Sequence, residues 1–551
     1  MSTNKPNQEK IACPSKTENC TDEVKDPNYK CRLKGLIVEF RPKQGFGGEY
    51  GFDWLRIDDK DVKQQINRGD FTDEPYKDAI LTGHKSNRAR LTKEKAYEKL
   101  KKEYHQLTSQ DSKGLVKREG YEDSTYYVPF LNIFSKKSSE ALKKEIPSLM
   151  LAPPFEAELR LIFYASCIRP DKVIFEFPEE FEVNGNKSPY IWEDDVDFVA
   201  HHKNRESSKT FTVTCLNDIS EKRYIEAYAV YNEGKASEEK LLAGKLCLLP
   251  NDKAHRKILK IAPIIVKIKP NQETKSIEGK LTSDELKRLH SGLYQALIVP
   301  NILTKDPSSN DLKLDLTQDS LWQLPDEATT LMMEKYSQKK AEHEALLLQG
   351  KDQRSKTLEA NKKRLEQELS ALSYRYDSYL EITPEQDSAG NSVYYFNNSG
   401  KIRYTDGGID KNRYTPETLI YLKQKFTQTQ QYSDELKDAF LLFIFDIYAR
   451  SNPKARNGLV TVGMVNGIGE KLGFLSEGRS FDTFTHELLH GLGLWHTHLH
   501  YDKENPPEKG RYIYHHGLND GKQLATDNIM SYKHPRNVTW KWQWEILHEK
   551  N

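Results

Sequence analysis

Near the C-terminus, the eleven residues His486-Glu487-Leu488-Leu489-His490-Gly491-Leu492-Gly493-Leu494-Trp495-His496 constrain the fold of this chain more than any other segment. Residues four apart share one face of an α-helix, so a helix here aims His486 and His490 at a common point, with Glu487 beside them. A third ligand requires the chain to leave the helix. Gly493, lacking a Cβ, can take the positive-φ turn that returns His496 to the same point. Three imidazoles leave one position open for water, which is the ligand set of a catalytic rather than a closed structural zinc site. Zinc lowers the pKa of such a water to about 7, and Glu487 is placed to take its proton as it attacks a polarised carbonyl. The competing reading is an amphipathic helix with Leu488, Leu489 and Leu492 as its core face.

Some thirty residues further on stands Asp527-Asn528-Ile529-Met530-Ser531-Tyr532. With this segment behind the histidine motif, the chain resembles a metzincin zinc metallopeptidase, whose zinc motif is followed by a Met-turn. The resemblance implies an α+β peptidase domain with one catalytic Zn2+ held by His486, His490 and His496, and Glu487 as general base. It also implies that Met530 forms an apolar floor beneath the imidazoles and that Tyr532 serves as an extra ligand or transition-state hydrogen-bond donor. An edge strand that aligns substrate is implied ahead of the motif, where Gly458-Leu459-Val460-Thr461-Val462-Gly463-Met464-Val465 has strand character. The reaction so implied is endopeptidase cleavage of a protein or peptide. A hydrolase acting on amides of cell-wall peptide would share the chemistry.

The flanks carry further expectations. Ser433-Asp434-Glu435 makes an acidic first turn, and Leu436, Phe440, Phe443, Ile444 and Ile447 recur at helical spacing, which predicts a long helix packed on the sheet. Thr539 is a candidate cap for a last helix in which Trp540, Trp544 and Leu547 form a core stripe. His498, His500, His515 and His516 read as loop histidines.

A chain of 551 residues exceeds one domain, and the pattern predicts a multidomain protein. Residues 1–30 form a polar leader and 31–150 a mixed α/β region. Within the latter, Leu36 to Phe40 is a strand, Thr92 caps a helix bearing Tyr97, Leu100, Tyr104 and Leu107, and the glycines from Gly45 to Gly51 miss the phosphate-loop spacing and read as turns. Residues 151–272 alternate with a period of two, as in Ala157, Leu159, Leu161 and Phe163, and predict an all-β sandwich for which an immunoglobulin-like form is one option. Residues 280–384 read as a helical connector, with Leu358, Leu365, Leu369, Leu372, Tyr376 and Tyr379 on one seam. The peptidase-like domain is read as 385–551, opened by a hairpin around Asn397 to Gly400.

Lys and Arg number 83 against 82 Asp and Glu, a balance with no electrostatic footprint for nucleic acid. Six cysteines make no disulfide framework; Cys13, Cys20 and Cys31 lack a fourth zinc ligand, and Cys215 reads as a buried thiol. No apolar stretch is long enough for a Sec signal or a membrane span, which predicts synthesis in the cytoplasm. An enzymatic domain at the end of a long leading region is similar to bacterial toxins carried by a contact-dependent, type VI-like apparatus. That setting implies a secretion apparatus and an immunity or inhibitor protein as partners. The alternative is a structural or adaptor component of a secretion assembly with a vestigial zinc domain, against which the intact Glu487 argues.

Overall fold

The computed structural model describes residues 34–56, 80–86, 89–108, 125–165, 168–192, 205–206, 209–270, 275–303, 312–319, 383–386, 392–397, 417–450, 460–498, 510–514, 518–519, 522–523, 526–531 and 536–549, with scattered residues between 322 and 365. They form several β-sheets and helices in a mixed α+β arrangement. Among the described residues, no helix is long and apolar enough to cross a membrane.

The period-two segments give two sheets that share one apolar core. In the first, Leu36–Pro42, Glu156–Ala165, Phe211–Cys215 and Phe181–Val183 lie side by side. The second runs Tyr190–Trp192, Lys172–Glu176, Arg223–Tyr231, Glu239–Leu248, Phe130–Asn132 and Gly51–Asp53. Alternation sends Ala157, Leu159, Leu161 and Phe163 inward against Phe175, Ala227 and Leu246 from the other sheet. The two sheets meet closely at Gly244, where a Cβ would stand 2.2 Å from the Val38 carbonyl oxygen. Cys215 and Cys247 are buried free thiols. Strands from before residue 151 therefore complete this unit.

The sheet that carries the site is built from distant parts of the chain. Its long strand, Lys257–Ile268, pairs in parallel with Ile298–Ile302, Lys313–Asp315 and Phe440–Ile444. Phe440–Ile444 pairs in parallel with Leu472–Leu475, and Gly463–Val465 closes that edge antiparallel. This sheet takes strands from within 151–272, from 280–384 and from beyond 385, so all three stretches read as separate in the sequence contribute to it. Sequence pattern predicted a helix over 434–447. The chain instead makes one 3-10 turn, Asp434–Leu436, followed by the strand Phe440–Ile444. All five residues of that strand are buried because it is a central parallel strand covered on both faces, and such a strand shows no alternation.

Helix Ser283–Tyr294 lies in the chain between Lys257–Ile268 and its parallel neighbour Ile298–Ile302, started by a capping box in which Thr282 and Glu285 exchange side-chain and backbone bonds. It packs on the site helix Thr483–Gly491, and Gly292 allows the close approach: a Cβ there would meet Thr485 Cγ2 at 2.5 Å. The last helix, Lys541–Glu549, buries Trp542, Trp544 and Leu547, with Trp540 just ahead of it. Thr539 acts here as an acceptor for Trp544 Nε1 (2.8 Å), while the Gln543 side chain takes the Trp540 N–H (2.8 Å) and so does the capping.

The N-terminal stretch is welded to this body. Strand Ile80–Ser86 pairs antiparallel with Tyr512–Tyr514. The helix that Thr92 caps, Lys93–Lys101, ends before the expected Tyr104 and Leu107, the second of which lies in the short strand Gln106–Leu107. Ala96 and Leu100 of the helix and Tyr104 and Leu107 beyond it enter the same core as Leu488 and Met530. The glycine turn of 45–51 lies on the C-terminal segment: Arg288 donates to Gly47 O (2.8 Å), and Gln295 Nε2 to Gly48 O and Asn537 O (2.9 Å each). Residues 1–30, the hairpin loop 398–400 and all of the proposed helical seam except Leu365 lie outside the described residues.

Candidate metal centre

The site helix begins at Ser480-Phe481-Asp482 and is buried along its whole length from Thr483 to Gly491. Asp482 occupies the N-cap position without making the usual side-chain cap. Its carboxylate is instead held by Arg536: Nε donates to Oδ2 at 2.6 Å, Nη2 donates to Oδ1, and Nη2 also reaches Ser480 Oγ at 2.9 Å. The helix ends at a glycine turn. Gly493 has φ +103°, its N–H donates to His490 O (2.9 Å), and Leu494 N–H donates to Leu489 O (3.0 Å). This pair of bonds is the Schellman arrangement, which turns the chain sharply enough to bring His496 back over the helix.

The three imidazoles meet there. The Nε2 atoms of His490 and His486 are 3.1 Å apart, those of His490 and His496 2.9 Å, and those of His486 and His496 3.3 Å. His486 Nδ1 lies 2.8 Å from Ile529 O and His490 Nδ1 2.7 Å from Leu494 O. A carbonyl oxygen only accepts, so both Nδ1 atoms carry hydrogen and, in the neutral ring, both Nε2 atoms present bare lone pairs. Burial keeps the rings neutral: it holds His486 well below the usual imidazole range, aided by His490 and Arg536, and brings His490 down to about 4. Lone pairs aimed at one another across 3 Å repel unless a cation lies between them. A tetrahedral zinc ion with Zn–N of about 2.0–2.1 Å sets its donors roughly 3.3–3.4 Å apart; the His486–His496 pair has that spacing, the other two pairs are shorter, and the donor set suits such an ion.

Glu487 is 8 % exposed and lies against Gly463 of the edge strand, where a Cβ would approach Glu487 Cγ to 2.6 Å. Burial pushes its carboxyl up to about 8, opposed by the Arg536 charge. A divalent cation at the neighbouring imidazoles would pull it down again.

The segment from Asp527 reaches the centre through its backbone. Ile529 gives its carbonyl to His486, and Met530, fully buried, accepts the Thr497 N–H at 3.2 Å while its own N–H goes to Asn528 Oδ1 (2.9 Å). Asn528 and Gln543 exchange a pair of amide bonds (2.8 and 3.1 Å), which ties this turn to the last helix. Tyr532 lies outside the described residues, as do His500, His515 and His516. His498 is buried, with its ring 5.5 Å from that of His496.

The structure thus brings together His486, Glu487, His490, His496, Gly493 and Met530. Sequence reading missed Asp482, Arg536, Asn528, Gln543 and Gly463. Asn528 sat inside a recognised turn, Gly463 inside the expected edge strand, and Gln543 three residues after the Trp540 N–H it takes, so these were open to discovery; Asp482 and Arg536 carry no local signal for each other, because they lie 54 residues apart. No protein-family model matches the chain and no curated protein matches it, so the chemistry of the centre has to be read from its own atoms.

Proposed function

We propose that the chain is a zinc-dependent endopeptidase of the metzincin type. The observation that carries this reading is the convergence of three Nε2 atoms, two of which present lone pairs because their rings make Nδ1–H bonds to backbone carbonyls, one residue from a buried carboxyl. When bound, the ion would supply Lewis acidity, lowering the pKa of a coordinated water to about 7 and polarising the scissile carbonyl. The protein's part is positional and protonic. His486, His490 and His496 would hold the ion, with Gly493 and the 529–530 turn fixing their orientation. Glu487 accepts the proton of the attacking water and returns it to the departing amide nitrogen. Gly463–Val465, an antiparallel edge strand beside Glu487, offers backbone groups to which an extended peptide can add as another strand. In the same reading Tyr532 steadies the oxyanion.

The test is a zinc-loaded wild type and a Glu487→Gln variant against an unstructured protein substrate such as casein. The variant is expected to keep one zinc per chain and its melting temperature and to lose about 10²–10⁴-fold in turnover. Wild-type turnover by the variant, or a zinc-loaded wild type that cleaves nothing, refutes the proposal.

A further inference from the structure

Gly463 stands at the start of the edge strand, paired with Leu475. Its backbone lies outside the left-handed region, so nothing in the local conformation demands glycine. Space does. A Cβ built there would fall 2.6 Å from Glu487 Cγ, 3.1 Å from Glu487 Cδ and 3.0 Å from Thr483 Cγ2, whereas ordinary carbon contacts begin near 3.4 Å. Thr483 and Glu487 are four apart and so present one face of the site helix to this strand. The methylenes of Glu487 therefore rest on the bare Cα of Gly463.

We infer that Gly463 is a positioning residue for Glu487: the missing side chain is the seat that sets where the carboxylate stands and couples it to the edge strand. The inference rests on the reading of Glu487 as the proton carrier, and it adds that a peptide laid along Gly463–Val465 bears on the strand against which that carrier leans. A misplaced general base costs rate without removing metal, and a displacement of about 1 Å is worth on the order of 10²-fold.

The experiment is a double-mutant cycle in the full-length zinc-loaded protein: wild type, Gly463→Ala, Glu487→Ala and the double variant, each measured for zinc content and melting temperature, with casein turnover for the two that keep Glu487. Gly463→Ala is expected to lower the melting temperature by roughly 3 °C or more. Most of that shift should vanish when Glu487 is already alanine. Zinc content should stay at one per chain, and kcat should fall on the order of 10²-fold with KM changed little. An equal shift in both backgrounds, or full kcat in Gly463→Ala, overturns the inference. Should Gly463→Ala fail to fold, its rescue by Glu487→Ala supports the seat, and failure in both backgrounds overturns it. Absence of turnover in the wild type would refute only the peptidase reading, since the melting cycle decides the contact without it.

Discussion

The Arg536–Asp482 pair offers the sharpest energetic test of how the centre is held. Both side chains are nearly dry, with 8 % and 1 % exposure, and the guanidinium meets both carboxylate oxygens and Ser480 Oγ. It thereby pins residue 536, which follows the 532–535 segment, to the first turn of the site helix. Arg536→Met removes the fork while roughly keeping its volume and strands the Asp482 carboxylate in the core. Breaking a buried pair from one side costs about 3–5 kcal/mol, mainly as desolvation of the charge left behind. Asp482→Asn should lose a similar amount by stranding the guanidinium. The double variant strands neither charge, so its loss should fall short of the sum by about 2 kcal/mol or more. Urea unfolding of the four proteins at pH 7.5 measures this. A loss under about 1 kcal/mol for Arg536→Met, or strict additivity, would refute the claim that this pair is a buried clamp. A second readout follows from charge: Arg536 opposes the burial that raises the Glu487 carboxyl, so its removal should move the acidic limb of the pH–rate profile to higher pH.

Two further outcomes are expected. Gly48 has φ +83° and a Cβ there would stand 2.0 Å from Asn537 O, while Gly45 has φ +74° with nothing within 4 Å. Gly45→Ala should therefore cost only the backbone term of about 1–2 kcal/mol, and Gly48→Ala more than that together with weaker zinc retention, both read by thermal melts with a zinc dye. For the chelator-treated protein, His490 is depressed to about 4 in the fold against about 6.5 unfolded. The unfolded chain thus binds the proton first, so stability is fully present above about pH 6.5 and declines as the pH falls toward 4, by on the order of 3 kcal/mol. His490→Gln should flatten that decline, and an unchanged slope would refute the assignment.

The centre was legible because its ligands are local: two histidines one helical turn apart and a third behind a glycine report their own geometry. The Schellman turn at Gly493 and the Asp527–Ser531 segment share that property. What surrounds the centre was not legible, for reasons specific to each element. Ala439 to Ile447 is almost wholly apolar, so its period cannot separate a helix from a strand covered on both faces, and the parallel ladder with Lys257–Ile268 that decides the matter lies about 180 residues upstream. Lys257–Ile268 itself continues the β character of the region before it, and nothing within the segment tells which sheet it joins. The glycines of 45–51 read as turns, but their close contact with Gln295 and Asn537 depends on residues more than 240 positions away.

The pairing of Ile80–Ser86 with Tyr512–Tyr514, and the burial of Trp544 in the same core as Leu488, have a consequence for the order of events during synthesis. A ribosome that has translated the histidine motif has not yet exposed the carbonyl of Ile529, the guanidinium of Arg536 or the tryptophans of the last helix, while the early strand, paired on one side with Ala89–Leu91, lacks the neighbour on its other side until Tyr512–Tyr514 is made. The nascent polypeptide therefore holds its three-histidine centre unassembled until the tryptophans near residue 544 have been made.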